Sequence, residues 1–186
     1  MRKKKLAIIT LGCSKNLVDS EDIATRLSDK YDIVFEDASD AYAVALNTCG
    51  FILDAKQESI NAILEYAQLK SQGRIKKLFV FGCLSQRYKK DLEGEIPEVD
   101  GFFGVDCLED ILDALDCHEQ NECAEARPRM ISTPPHPAYL KIAEGCSRMC
   151  AFCAIPYIRG RYKSRPIDDI VEEARMLAEH GVREIN

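Results

Sequence analysis

Three short apolar runs in this chain end alike. LAIITLGC, AVALNTC and LFVFGC each close on a cysteine with a glycine beside it, so Cys13, Cys49 and Cys83 stand at matching positions next to Gly12, Gly50 and Gly82. Apolar runs at residues 6–11, 31–35, 42–46, 78–81 and 101–105, alternating with amphipathic stretches, predict an α/β fold with a doubly wound, mostly parallel sheet. Ligands of such sheets bind beyond the carboxyl ends of the strands. With the common strand order 2-1-3-4-5, the three cysteine-bearing strands are neighbours. Adjacent strands lie about 4.8 Å apart, which gathers the thiols within roughly 10 Å. One cysteine is more often a small core residue than a ligand. Three in equivalent places, beside glycines that permit tight turns, argue for a metal cluster.

The helices between the strands are marked by periodicity. Over 54–69, Ile60, Ile63, Leu64 and Ala67 share a face, with Asp54 as N-cap and Gly73 beyond the end. Leu108, Ile111, Leu112 and Leu115 repeat the pattern behind Asp106, and a helix over 17–28 turns Ile23 and Leu27 inward. Periodicity stops at Cys117. The polar stretch with Pro128, Pro134 and Pro135 reads as a linker, dividing the chain into residues 1–116, a linker at 117–135, and residues 136–186. The last part predicts a strand over 138–143, a cysteine loop and a helix opening at Pro166. Ile167, Ile170, Val171, Ala174, Leu177 and Ala178 share a face of that helix, Gly181 ends it, and 182–186 begins a further strand. One strand–helix unit cannot bury its own apolar faces, so the second domain reads as truncated.

Nine cysteines, an odd number, fit disulfide pairing poorly and favour metal binding or catalysis in a reducing compartment. No apolar run approaches the roughly 18 residues of a membrane span. The start, MRKKKLAIITLGC, resembles a signal peptide only superficially, because its apolar segment is short and lacks a small-residue cleavage site. A cytoplasmic protein without a membrane partner is expected. The net charge of −6 argues against a chain-wide nucleic-acid surface.

The densest signal is GCSRMCAFC, which spaces Cys146, Cys150 and Cys153 as Cys-x3-Cys-x2-Cys. A loop carrying three thiolates can wrap a four-iron cube and leave one iron free to bind a substrate or cofactor. The same spacing is also one face of a helix, and zinc with His136 or Cys123 as a fourth ligand is a competitor. Gly145 before the triplet and Pro156 after it favour a loop at a strand end.

With Phe152 just before its last cysteine, this triplet resembles the signature of the radical S-adenosylmethionine superfamily. GCSKNLVDSE, NTCGFILDAKQESI and GCLSQRY resemble the amino-terminal domain of the methylthiotransferases, and AYLKIAEGCSRMCAFCAIPYIRGRYKSRP resembles the start of their radical domain. The likeness covers nearly the whole chain outside the linker. It implies two 4Fe-4S clusters: an auxiliary one on Cys13, Cys49 and Cys83, and a radical one on Cys146, Cys150 and Cys153 that binds S-adenosyl-L-methionine. It also implies a partial (β/α) barrel, of which residues 136–186 would be the first unit, and an electron donor. GCSKNLVDSE and STPPHPAYLKIAEGC look more like the branch that methylthiolates an aspartate of ribosomal small-subunit protein twelve than the branch that modifies a tRNA adenosine. The fragment alone is not expected to turn over. A zinc-stabilised binding module and a mere folding or interaction unit are the readings of other classes.

Arg159, Arg161, Lys163 and Arg165 form a basic run that could meet an acidic substrate or a cofactor carboxylate, or simply be solvated. Asn16, Asn47 and Gln86 lie near the first cysteines and could donate to cluster sulfurs, and Glu144 is a candidate cofactor contact. Cys107, Cys117 and Cys123 read as packing or linker residues, with His118 only a weak hint of zinc.

Overall fold

Successive residues of β1 (Lys4–Thr10) point to opposite layers: Leu6 and Ile8 enter one core, Ala7 and Ile9 the other. That two-sided burial is what a parallel sheet covered by helices requires. The computed structural model describes residues 3–115, 129–134 and 136–186. Along the chain follow α1 (Ser14–Leu27), β2 (Tyr31–Phe35), β3 (Ala43–Thr48), α2 (Leu53–Ser71), β4 (Lys77–Gly82), α3 (Cys83–Glu95), β5 (Gly101–Phe102) and α4 (Leu108–Ala114). The five strands are parallel and run in the order β2-β1-β3-β4-β5, the doubly wound order expected.

Helices α1 and α4 cover one face, through Ile23, Ala24, Leu27, Ile111 and Leu112. Helices α2 and α3 cover the other, through Ile63, Ala67, Leu84 and Leu92. Cys107 lies buried in the first core, as a packing residue should. Every residue of β3, the central strand, is buried.

Some local expectations fail for physical reasons. Helix α3 shows no apolar periodicity in CLSQRYKKDLEGE, because among its long apolar residues it buries only Leu84 and Leu92; it also kinks at Tyr88. Asp54 is not the N-cap of α2. Ile52 stands there without a side-chain hydrogen bond, and Asp54 falls in the first turn, where its charge suits the helix dipole. Helix α4 opens behind Asp106 as expected, with Cys107 at its N-cap. Leu64 is 51% exposed and leaves the face expected of it. Strand β5 stops at Phe102, and Gly104 then turns its carbonyl to the N–H of Gly82 at 3.1 Å.

In residues 136–186 the single strand expected over 138–143 is two short pieces. β6 (Pro137–Ala138) pairs in parallel with β9 (Glu184–Ile185), and β7 (Ala143–Glu144) pairs antiparallel with β8 (Lys163–Ser164). Between them lie α5 (Ile155–Ile158) and α6 (Ile167–Glu179). Of the apolar face expected on α6 only Leu177 is buried, while Ile167 and Val171 are exposed. Most of the stretch expected as linker, with Cys117, His118 and Cys123, lies outside the described residues. Among the described residues, no helix is long and apolar enough to cross a membrane.

Candidate functional site

The carboxyl ends of β1, β3 and β4 lie side by side, with Thr10 in register with Asn47 and Asn47 with Phe81. Cys13, Cys49 and Cys83 follow these residues by two or three positions, so all three leave the sheet at one edge. Their sulfurs gather around Asn16: its Oδ1 lies 3.9 Å from Cys13 Sγ and 3.9 Å from Cys83 Sγ. Cys49 and Cys83 are buried and Cys13 is exposed, so the group has a closed floor and one open side. The backbone of Cys49 is pinned from α2, where Ser59 Oγ accepts from its N–H at 3.0 Å and donates to its carbonyl at 3.2 Å.

Glycine is required at two of the turns. Gly12 has φ +102° and Gly82 φ +98°, conformations that L side chains rarely adopt. A Cβ on Gly82 would lie 2.7 Å from the carbonyl oxygen of Thr48, so β3 and β4 could not close at their ends. Asn16, fully buried, ties the turns together. Its Nδ2 donates to Leu11 O at 2.8 Å and Thr48 O at 3.3 Å, which fixes its amide orientation, and its backbone carbonyl accepts from Asn47 Nδ2 at 2.7 Å. Asn16 therefore presents oxygen, not N–H, to the sulfurs. Asn47 spends its N–H groups on Asn16 and on Ser20 Oγ, and Gln86 accepts from the N–H of Val105 through its side-chain oxygen.

The donor to sulfur is one the basic run concealed. Arg159, at the end of α5 and only 6% exposed, donates from Nε to Cys83 Sγ at 3.2 Å. Its Nη2 donates to Asn16 Oδ1 at 2.6 Å and Asp19 Oδ2 at 3.2 Å, and its Nη1 to Glu144 Oε2 at 2.9 Å. Burial pushes the Cys83 thiol up, and the Arg159 charge partly offsets that. Burial opposes the charge on Arg159 too, but Asp19, Cys83 and Glu144 outweigh it and raise its pKa. Glu144 is likewise held below its ordinary value: burial works against its charge, and the Gly145 N–H, Arg159 and Lys141 overcome that. The neighbouring basic residues differ, since Arg161 and Lys163 are exposed and Arg165 pairs with Glu173 at 2.5 Å.

Cys146, Cys150 and Cys153 lie in a loop between β7 and α5, not on a helix. The Cys146 N–H donates to Gly160 O at 3.0 Å and the Cys153 N–H to Cys150 O at 3.1 Å, which folds the loop back on itself. Cys150 is exposed, and Met149 and Phe152 stand out beside it. Among the described residues no three His, Cys, Asp or Glu side chains close on a single metal ion. A four-iron cube is wider than an ion. The cradle of three sulfurs, required glycines and a buried cation suits an anionic cluster held by thiolates.

A second polar network fixes residues 129–134 against α1. Glu21 Oε1 accepts from the N–H and Oγ of Ser132, both at 2.8 Å, and its Oε2 lies 3.1 Å from Arg129 Nε. Arg129 Nη1 lies 2.7 Å from Glu173 Oε1. These two contacts miss hydrogen-bond alignment and act as ion pairs. A cavity of about 690 Å³ beside this network is lined by Asp22, Arg129, Arg165, Glu173 and Met176 and contains no cysteine.

Fold and site together define a class: a doubly wound α/β unit with three cysteines at the carboxyl edge of its sheet, joined to a segment that carries a three-cysteine loop. Residues 5–104 match the uncharacterized protein family UPF0004, and the chain belongs to that family. Residues 140–186 match the Radical SAM superfamily. Similar curated proteins include one from Porphyromonas gingivalis, 51% identical over 186 residues, covering 99% of this chain and 42% of that protein. Another, from Bacteroides fragilis, is 50% identical over 188 residues, covering 99% of this chain and 43% of that protein. A third, from Chlorobium phaeovibrioides, is 46% identical over 185 residues, covering 100% and 42%. All three are named ribosomal protein uS12 methylthiotransferase RimO. The chain thus spans less than half the length of these relatives. Among solved structures, the radical S-adenosylmethionine methyltransferase TsrM from Kitasatospora setae aligns with a TM-score of 0.54 at 12% identity, over 98% of this chain and 48% of that one. That likeness is one of fold.

Proposed function

We propose that Cys13, Cys49 and Cys83 hold an auxiliary 4Fe-4S cluster, and that Cys146, Cys150 and Cys153 hold a second one that binds S-adenosyl-L-methionine. Within a full-length protein, the pair would methylthiolate an aspartate of ribosomal small-subunit protein twelve in the cytoplasm, with an external electron donor. Replacing a hydrogen on an unactivated aspartate carbon is beyond an ordinary general base, and when bound the cluster with its cofactor supplies a radical able to abstract it. The chain's own residues hold and orient. The strand-end turns fix three thiols at one edge, Asn16 locks those turns, and Arg159 with Glu144 joins that edge to the second cysteine loop. The carrying observation is this convergence: three cysteines from three strands meet at one place, and the segment bearing the other three reaches into it. The names of the similar proteins favour the ribosomal target over a tRNA.

The test is anaerobic reconstitution with iron and sulfide counted per chain. The native sequence is compared with the Cys13/Cys49/Cys83→Ala triple and the Cys146/Cys150/Cys153→Ala triple. Iron should fall by about half in each triple if each site holds one cluster of equal size. Uptake of zinc without iron would reject the reading. For the target, the full-length protein is incubated with isolated ribosomal protein twelve and with tRNA, and mass spectrometry reads which gains a methylthio group.

A further inference from the structure

Arg159 follows the second cysteine loop, yet its guanidinium is buried against a cysteine of the first set. Two carboxylates, Asp19 from α1 and Glu144 from β7, hold its Nη groups, and Asn16 Oδ1 takes a third hydrogen bond. These contacts fix the guanidinium plane and leave Nε aimed at one acceptor, Cys83 Sγ at 3.2 Å. The backbone of the same residues is fastened to the second loop, since the Arg159 N–H donates to Ile155 O at 2.8 Å and Gly160 O accepts from the Cys146 N–H at 3.0 Å. An N–H donated to a ligating thiolate withdraws charge from sulfur and favours the reduced cluster, most strongly where water is excluded.

We infer that Arg159 is a positioning residue that raises the reduction potential of the auxiliary cluster through its hydrogen bond to Cys83, so that the segment carrying one cluster sets the potential of the other. This rests on the proposal that Cys13, Cys49 and Cys83 hold a cluster. The role belongs to an oriented N–H: lysine would keep the charge but lose the planar fork that aims it.

The experiment uses reconstituted full-length protein carrying Cys146/Cys150/Cys153→Ala, so that the remaining iron belongs to the auxiliary site. In this background Arg159, R159K and R159M are compared by iron count and by potentiometric titration followed by electron paramagnetic resonance. The expected result is retained iron with the midpoint shifted to more negative potential in R159M, and a shift of the same sign in R159K. Unchanged midpoints with iron retained would overturn the inference. So would loss of iron from both variants, which would make Arg159 a purely structural residue. If R159M alone loads poorly, R159K decides, a lowered midpoint supporting the inference and an unchanged one rejecting it. A parent protein that takes up no iron would overturn the two-cluster proposal as well, and shows itself before any potential is measured.

Discussion

A methyl group placed on Gly12 would sit 2.7 Å from the Cβ of Cys49 and 3.2 Å from its sulfur. The first turn of the cysteine edge is therefore closed against the second by the absence of a side chain. Gly12→Ala combines this clash with an unfavourable positive φ, and should destabilise the fold by about 2 kcal/mol or more in urea denaturation. It should also lower iron uptake at Cys13, Cys49 and Cys83. Gly94, in α3, has open space around its Cβ position. Gly94→Ala should instead be neutral or gain up to about 1 kcal/mol, as helix propensity dictates. Equal effects at the two sites would refute the close-packed edge.

Glu21 and Arg129 form a buried pair, with side chains 3% and 4% exposed. Removing Glu21 leaves Arg129 with Glu173 alone and takes the acceptor from the N–H and hydroxyl of Ser132, in a poorly solvated place. Glu21→Ala should cost on the order of 3–5 kcal/mol in the same assay. The Glu21→Ala, Arg129→Met double variant should recover part of that loss, because the half-paired guanidinium is gone and Glu173 keeps Arg165. A single variant within 1 kcal/mol of the parent, roughly the level of an exposed ion pair, would show that water reaches this contact.

The sheet was legible because its signal is local. β1, β3 and β4 are short apolar runs, and βα alternation points to a doubly wound sheet, though the order 2-1-3-4-5 was assumed as the common one; with that order, the equivalence of Cys13, Cys49 and Cys83 follows from one rule about strand ends. Helix α3 was invisible because half-covered helices need few apolar residues, and Leu84 and Leu92 are too far apart to announce a period. Arg159 shows the harder limit. Within YIRGRYKSRP its burial depends on Asp19, Glu144 and Cys83, which lie 140, 15 and 76 positions away in sequence. Asp19 on α1 and Glu144 ahead of the loop are the partners that bury it. Their role acquires meaning only once α1 and the loop are known to touch.

Asp22 gives a pH signature. Burial raises its pKa to about 6, against the opposing pull of Arg129 and Lys141. The folded protein then binds a proton more tightly than the unfolded chain, whose aspartate titrates near 3.8. Stability should fall as pH rises from about 4 to about 6 and level off above, the reverse of a salt-bridged carboxylate. Asp22→Asn abolishes this dependence. The variant should match the parent near pH 4 and exceed it by on the order of 2–3 kcal/mol at pH 7, at 1.36 kcal/mol per pKa unit. Urea midpoints across this range read the difference directly. A variant no more stable than the parent at pH 7 would show that Asp22 is well solvated.

Thiol reactivity separates packing cysteines from candidate ligands. Burial, aided by Asp19, Asp110 and Asp106, pushes the Cys107 thiol up to about 12, so almost none is thiolate at pH 8. Cys13 and Cys150 are exposed, one in each triplet. In the metal-free protein, iodoacetamide should modify Cys13 and Cys150 first and Cys107 last, as read by peptide mass spectrometry. After anaerobic reconstitution Cys13 and Cys150 should be protected, while Cys107 keeps its slow rate, because iron would occupy the first two and leave the core untouched. Protection of Cys107 along with them would mean that the cluster assembles on a different set of sulfurs. Protection of Cys13 without Cys150 would confine iron to the sheet edge.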